Sequence, residues 1–216
     1  VKKIAAKKIV AKKAPAKKVA AKKAPALKVV LTPVQLLQNE IAALEAKLEK
    51  ARKNFLNRLH ADNHKLIFTS SGTEANNLLI SNFKKKQILI SSVEHPSIYE
   101  LYNYHDNISI IPINQNGIMN LEYLESKLKS EDVKLVSVIY ANNETGIIQN
   151  IKEISDLVHK YNAYMHSDVT QAIGKIDVNI SDLGLDFATF SAHKFYGPVG
   201  CGGLIYPDSF IPTAQI

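Results

Sequence analysis

The chain has no tryptophan and a single cysteine, Cys201, among its 216 residues. One thiol cannot close an intramolecular disulfide framework and leaves any cysteine-based zinc site short of ligands, so neither a disulfide scaffold nor a resident metal is expected. No apolar run reaches the roughly 18 residues of a membrane-spanning helix. Nor does a charged start lead into an apolar stretch and a small-residue cleavage site. These absences predict a soluble, cytoplasmic chain with no membrane partner.

Acidic side chains are also missing from the first 30 residues, which hold 11 lysines, ten of them in Lys-Lys pairs that recur every five residues. The other 16 basic side chains face all 20 acidic ones, so the overall charge of +7 averages a polycationic segment with a net acidic body. On a helix, five residues advance about 140° net, so the pairs spiral around the axis and no amphipathic face results. Pro15 and Pro25 interrupt any continuous helix, and Ala with scattered Ile and Val buries too little apolar area to offset the entropy of ordering. Residues 1–32 therefore read as a disordered Lys/Ala/Pro-rich tail. Its composition resembles that of linker histones and histone-like bacterial proteins, which neutralise phosphates without reading sequence. Nonspecific nucleic acid bound through residues 1–30 is one expectation, and a plain solvated extension is the other.

After Pro33 the character changes. Leu37, Ile41, Leu44, Leu48, Ala51 and Phe55 recur at alternating spacings of four and three, which predicts an amphipathic helix over 33–60. The repeat spans under three heptads, so the helix either forms a short coiled coil or packs on the domain that follows.

From residue 61 onward, short β-branched runs alternate with helical stretches. "KLIFTS", "QILISS", "ISIIPI", "KLVSVIY", "AYMHSD", "DFATFSAH" and "GGLIY" read as strands; "EANNLLISNF", "NLEYLESKLK" and "IKEISDLVHKY" read as helices. The pattern predicts an α/β fold with a mostly parallel sheet flanked by helices, where ligands gather beyond the carboxyl ends of the strands.

The chemistry-bearing residues fall in those places. "IFTSSGTEANNLLI" runs from a strand through Ser70, Ser71, Gly72 and Thr73 into a helix, which makes either a phosphate seat on free N–H groups or an ordinary N-cap with Thr73 as the capping residue. The stretch carries neither a P-loop nor a dinucleotide-binding fingerprint. "ISSVEHPSIYE" places His95 after a second strand, ahead of a proline that starts a helix. "IYANNETG" ends a third strand in Asn142 and Asn143, amides that either donate to a ligand or shape a turn. "MHSDVTQAIGK" ends a fourth at Asp168, with Gln171 three residues on, and "FSAHKFYGPVGCGG" sets Ser191, His193 and Lys194 ahead of a Gly/Pro-rich turn. An anion seat, a flat imidazole, an amide, a carboxylate and an amine together match the requirements of pyridoxal phosphate.

The ordered set "FTSSGTEANN", "EHPSI", "ANNETGIIQNIKEI" and "HSDVTQAIGKIDVNISDLGLDFATFSAHKFYGPVGCGGLIY" strongly resembles the cysteine desulfurases of the class V aminotransferase group, from about Ala51 to Tyr206. The resemblance implies a pyridoxal 5'-phosphate enzyme that takes sulfur from L-cysteine, leaves L-alanine, and supplies iron-sulfur cluster or thio-cofactor assembly. It implies that Lys194 bonds the cofactor aldehyde and that Gly72, Thr73, Ser191 and His193 hold the phosphate. His95 would stack on the ring, and His95 or Lys194 would move protons. Asp168 would pair with the ring nitrogen, Gln171 would reach the phenolic oxygen, and Asn143 would lie near the ring or the substrate. A homodimer and a scaffold or sulfur-acceptor partner are implied as well.

The sequence departs from the family at both ends. The lysine tail and its helix stand where an Asp-Asn-Ala-Thr-Thr-like segment is usual. No small domain, substrate-carboxylate arginine or catalytic-cysteine loop follows the lysine strand. Residues 61–216 are therefore expected to be a partial large domain, truncated or fused and impaired on its own. The competing expectations are a histone-like protein acting through its tail, or another class V enzyme such as an aminotransferase or a selenocysteine lyase.

Overall fold

The computed structural model describes residues 32–213. The tail reading and the nucleic-acid call attached to it fall on residues outside that range, Thr32 excepted. The chain divides into two compact units, Val1–Ala42 and Ala43–Ile216.

Helix α1 (Pro33–Arg58) begins in the first unit and ends in the second. Its start is a reciprocal cap. Thr32 N–H donates to Gln35 Oε1 at 2.9 Å, Gln35 N–H donates to Thr32 Oγ1 at 3.3 Å, and Pro33 occupies the first helical position, where no N–H is needed. The four-three apolar repeat is present, but Leu37, Ile41, Leu44 and Leu48 are exposed. Within the second unit, Phe55 and Leu56 meet the core, and the Phe55 ring centroid lies 4.5 Å from that of Phe190.

The second unit is built on a seven-stranded sheet. Its strands are β1 (His64–Thr69), β2 (Gln87–Ser91), β3 (Ile108–Ile111), β4 (Val133–Ser137), β5 (Tyr164–Asp168), β6 (Phe187–Ser191) and β7 (Gly202–Pro207), in the order β1-β7-β6-β5-β4-β2-β3. Strands β2 to β6 are parallel, and β7 runs antiparallel to both β6 and β1. The mostly parallel sheet predicted from the sequence is thus present.

Alternation along each strand sends side chains to two cores. Ile88 and Ile90, with Leu135, Phe187 and Leu204, pack beneath α2 (Gly72–Asn82) through Leu78 and Leu79. Their neighbours Leu89, Val136, Ala188 and Ile205 face the other way, against α4 (Leu121–Ser130) and α5 (Ile151–Lys160) through Leu124, Leu128, Ile154 and Val158. Burial on both faces accounts for the unbroken apolar runs in the sequence.

Two short helices complete the unit, α3 (Pro96–Tyr99) and α6 (Ile180–Leu183). The second was not legible as a helix, because one turn between Asn179, which caps it, and the left-handed Gly184 is too short to show a period. The stretch 186–193, expected as one strand, stops pairing at Ser191. Ala192–Phe195 then turn into a 3-10 helix, which takes His193 and Lys194 off the end of β6.

Between β2 and β4 the strand order reverses direction, since β3 continues outward from β2 while β5 and β6 build on the far side of β4. Crevices at such a reversal, beyond the strand carboxyl ends, are where α/β sheets receive ligands.

Candidate functional site

The turns that follow β1, β2, β4, β5 and β6 converge on one cleft of about 250 Å³. All nine residues singled out in the sequence line it. Gly72 and Thr73 come from the start of α2, His95 from the turn after β2, and Asn143 from the loop after β4. Asp168 and Gln171 stand at and beyond the end of β5, and Ser191, His193 and Lys194 at and beyond the end of β6.

The α2 terminus is capped by Ser71, whose hydroxyl accepts from Glu74 N–H at 3.2 Å; Thr73, the residue expected to cap, lies inside the helix. With the cap assigned to Ser71, Thr73 keeps its N–H and hydroxyl unpaired among the described residues, at the positive end of an 11-residue helix. Gly72 N–H points to Ser191 Oγ at 3.3 Å, and Ser191 Oγ is 3.2 Å from His193 Nδ1. Gly72, Thr73, Ser191 and His193 form a cradle in which a side chain at position 72 would be tightly fitted. A Cβ there would stand 3.3 Å from Ser191 Cβ and 3.4 Å from the Phe190 carbonyl.

Asp168 is buried beneath the cleft. Its Oδ1 accepts from Thr170 N–H at 2.9 Å, a local turn contact, and its Oδ2 accepts from Asn76 Nδ2 at 3.1 Å. Gln171 gives its Oε1 to Lys175, which leaves the amide N–H groups as its free donors. The two asparagines after β4 divide the alternatives left open for them. Asn142 shapes the loop, donating to Val93 O at 3.0 Å and accepting from Glu144 and Thr145, whereas Asn143 lines the cleft. Lys194 is exposed and has no hydrogen-bond or ion-pair partner among the described residues.

His95 caps α3 with its own ring. Ser97 N–H donates to Nδ1 at 3.1 Å, and Ser97 Oγ lies 2.8 Å from the same atom. A backbone N–H can only donate, so Nδ1 is the bare nitrogen and Nε2 carries the proton.

Sequence reasoning missed four residues of this neighbourhood. Asn76, Ser97 and Thr170 line the cleft, yet in the sequence they are ordinary polar residues of a helix, a helix start and a turn. Glu94, beside His95, is buried; its Oε1 accepts from Ser91 Oγ and, at 2.6 Å, from Ile139 N–H, while Oε2 has no partner. Burial, more than the nearby Asp168 charge, pushes its carboxyl up to about 8, so it is neutral near pH 7. Glu94 thereby ties the turn that carries His95 to the end of β4.

Gly202 was read only as the start of a strand. A Cβ on it would meet Ser71 C at 2.4 Å and Gly72 N at 2.7 Å, so β7 can pass beneath the α2 terminus only with glycine there. Among the described residues no cluster of three or more His, Cys, Asp or Glu could hold a metal ion. No described helix is long and apolar enough to cross a membrane.

Comparison with known proteins places these features in a family. The family model described as aminotransferase class V matches residues 32–215. The cysteine desulfurase IscS of Dictyoglomus turgidum is 36% identical over 167 residues, and that of Buchnera aphidicola subsp. Baizongia pistaciae 39% over 170. The alignments cover 73% and 74% of this chain, which spans 42% of the length of either relative. Among solved structures, a NifS-like protein from Rickettsia africae superposes with a TM-score of 0.78 at 43% identity, covering 80% of this chain and 49% of that one. The apo cysteine desulfurase from Thermococcus onnurineus gives 0.69 at 26% identity, over 76% and 44% of the respective chains. With a family match that covers the whole described range, this protein belongs to the aminotransferase class V family.

Proposed function

We propose that this chain is the cofactor-binding portion of a cysteine desulfurase, taking sulfur from L-cysteine and leaving L-alanine, with pyridoxal 5'-phosphate as its cofactor. The observation that carries the reading is the convergence of an unpaired lysine amine, a buried carboxylate, an imidazole and a helix N-terminus with no side chain at its first position on one cleft.

That donor set fits the cofactor. Lys194 would hold it through its aldehyde carbon, and Gly72, Thr73, Ser191 and His193 would surround its phosphate. His95 would cover the ring, Gln171 would donate to its phenolic oxygen, Asn143 would lie beside the ring or the substrate, and Asp168 would keep its nitrogen protonated. When bound, the cofactor supplies an electron sink for a carbanion at the substrate's alpha carbon. The chain's own residues do the rest. Asp168, buried and accepting from two N–H donors, has its carboxyl held in one orientation beneath the cleft. Lys194, and His95 through Nε2, would move the alpha proton. The sulfur-accepting thiol of such an enzyme lies on a mobile loop outside the stretch matched here. Iron-sulfur or thio-cofactor assembly, a scaffold or acceptor partner, and a homodimer sharing phosphate contacts belong to the whole enzyme.

Titration of the purified chain with pyridoxal phosphate, followed by L-cysteine, tests the reading. The account expects a saturable visible band, lost in Lys194→Ala and changed by L-cysteine more than by equal L-alanine. A band that ignores both the mutation and the amino acid would overturn it.

A further inference from the structure

Beneath the cleft lies a run of buried polar side chains that the roles above do not use. Ser137 Oγ is 2.9 Å from His166 Nδ1, and His166 Nε2 is 3.0 Å from Thr189 Oγ1. Thr189 Oγ1 contacts Asn76 Oδ1, and Asn76 Nδ2 reaches both Asp168 Oδ2 at 3.1 Å and Ser97 Oγ at 2.9 Å. Ser97 Oγ lies 2.8 Å from His95 Nδ1. Ser137, His166 and Thr189 are wholly inaccessible to solvent, and Asn76 is 1% exposed.

The direction of each bond follows from the two ends. Asp168 Oδ2 accepts, so Asn76 must turn its NH₂ toward it and its carbonyl toward Thr189. Thr189 then has to donate to Asn76, and its oxygen is left to accept from His166 Nε2–H. His166 Nδ1 is consequently bare and accepts from Ser137. Burial holds this imidazole down to about 3, so it is neutral, as the single-tautomer assignment requires. On the other branch, the second Asn76 N–H goes to Ser97 Oγ, whose own proton is free for His95 Nδ1, the atom that Ser97 N–H already marks as bare.

We propose that Asn76 is a positioning residue that reads the Asp168 carboxylate and fixes His166 as the Nε2–H tautomer, while its second branch turns the Ser97 hydroxyl toward His95 Nδ1, the nitrogen that Ser97 N–H already holds bare. From Ser137 to Asp168 every donor points at the carboxylate, so the chain stabilises a negative charge there. With Nδ1 of His95 occupied by Ser97, proton exchange at that ring is confined to Nε2. The consequence for catalysis rests on the proposed roles of Asp168 and His95; the order of the hydrogen bonds does not.

The test is therefore made on the full chain without cofactor. Long-range proton–nitrogen correlation of ¹⁵N-histidine-labelled protein reports which ring nitrogen of each imidazole is bare, with His95→Gln and His166→Asn supplying the assignments. Both rings should show protonated Nε2 and bare Nδ1 in the wild type. Asp168→Asn offers Asn76 a donor in place of an acceptor, allows its amide to turn over, and should invert His166 to the Nδ1–H form, three hydrogen bonds from the mutation. Thr189→Val breaks the run and should abolish that inversion when combined with Asp168→Asn. A wild-type His166 protonated at Nδ1, or a His166 pattern unmoved by Asp168→Asn in a folded chain, would overturn the proposal. The wild-type spectrum decides even if a variant fails to fold, and a chain that bound no pyridoxal phosphate would leave this result readable.

Discussion

Asn76 Nδ2 lies 3.1 Å from Asp168 Oδ2, and through this contact a helix side chain that the sequence did not mark holds the most buried carboxylate of the cleft. The carboxylate itself was legible, because it ends a strand in a run that also carries Gln171. Its support was not, because it comes from a residue 92 positions away.

The contribution of Glu94 to stability should fall as pH rises from about 4.5 to about 8. Its folded value of about 8 stands above the ordinary value of 4.5, so the folded state holds a proton that the unfolded state releases. The contribution is fully present below about pH 4.5 and is lost toward pH 8, at a slope approaching 1.4 kcal/mol per pH unit. His166, held down to about 3 from 6.5, contributes the opposite slope up to about pH 6.5, so urea denaturation should show the wild type nearly flat from pH 5 to 6.5 and declining from there to pH 8, while Glu94→Gln gains stability over the first interval and loses less over the second. His159, raised by its contact with Asp186, adds a loss above pH 6.5 that is common to both proteins and cancels in the comparison.

The α2 terminus separates two hydroxyls that look alike in the sequence. Ser71→Ala removes the cap and should cost about 1 kcal/mol of stability, whereas Thr73→Ala should cost little stability and weaken cofactor binding. Thermal melts paired with pyridoxal phosphate titrations resolve the two. Equal losses of stability would contradict the assignment of the cap.

Gly202→Ala should destabilise the chain by about 1–3 kcal/mol, because its Cβ would meet backbone atoms of Ser71 and Gly72. Since the same backbone forms the phosphate cradle, affinity for pyridoxal phosphate should fall with it. A melt and a titration both unchanged would show that β7 does not press on the cradle.

The strands were readable because burial on both faces leaves nearly unbroken apolar runs, and seven such runs became seven strands with ends shifted by no more than three residues. The antiparallel entry of β7 was not readable, since a run such as "GGLIY" carries no sign of direction. Cleft residues sitting at strand ends announced themselves through residue type. Those acting by contact alone (Asn76, Ser97, Glu94 and Gly202) did not, because their effect depends on partners distant in the chain. The four-three repeat of α1 predicted the helix correctly but not what its apolar side meets, which a repeat cannot encode.

Cys201, the one thiol, is half-buried just ahead of β7, and its carbonyl accepts from Ala192 N–H at 2.9 Å. It should not serve as the sulfur acceptor. With pyridoxal phosphate and L-cysteine, the chain should release little sulfide, Cys201→Ala should behave the same, and turnover should appear when the C-terminal portion of a cysteine desulfurase relative is supplied. Robust release by the chain alone, lost in Cys201→Ala, would contradict this.

If the lysine-rich first 30 residues meet nucleic acid, binding should show little sequence preference, with log affinity falling with log salt at up to about −0.9 per phosphate contacted. Deletion of residues 1–30 should abolish this binding and leave the visible band of the cofactor intact. A slope near zero would reject nucleic acid as the partner.

The central claim is that Lys194 carries the cofactor, and the direct measurement is borohydride reduction of the chain with pyridoxal phosphate, followed by peptide mapping by mass. The 11 tail lysines make the control necessary, because exposed amines also react weakly. The account predicts near-stoichiometric cofactor mass on the peptide containing Lys194, unaffected by deletion of residues 1–30 and absent in Lys194→Ala. Label spread over other lysines with none on Lys194 would contradict it.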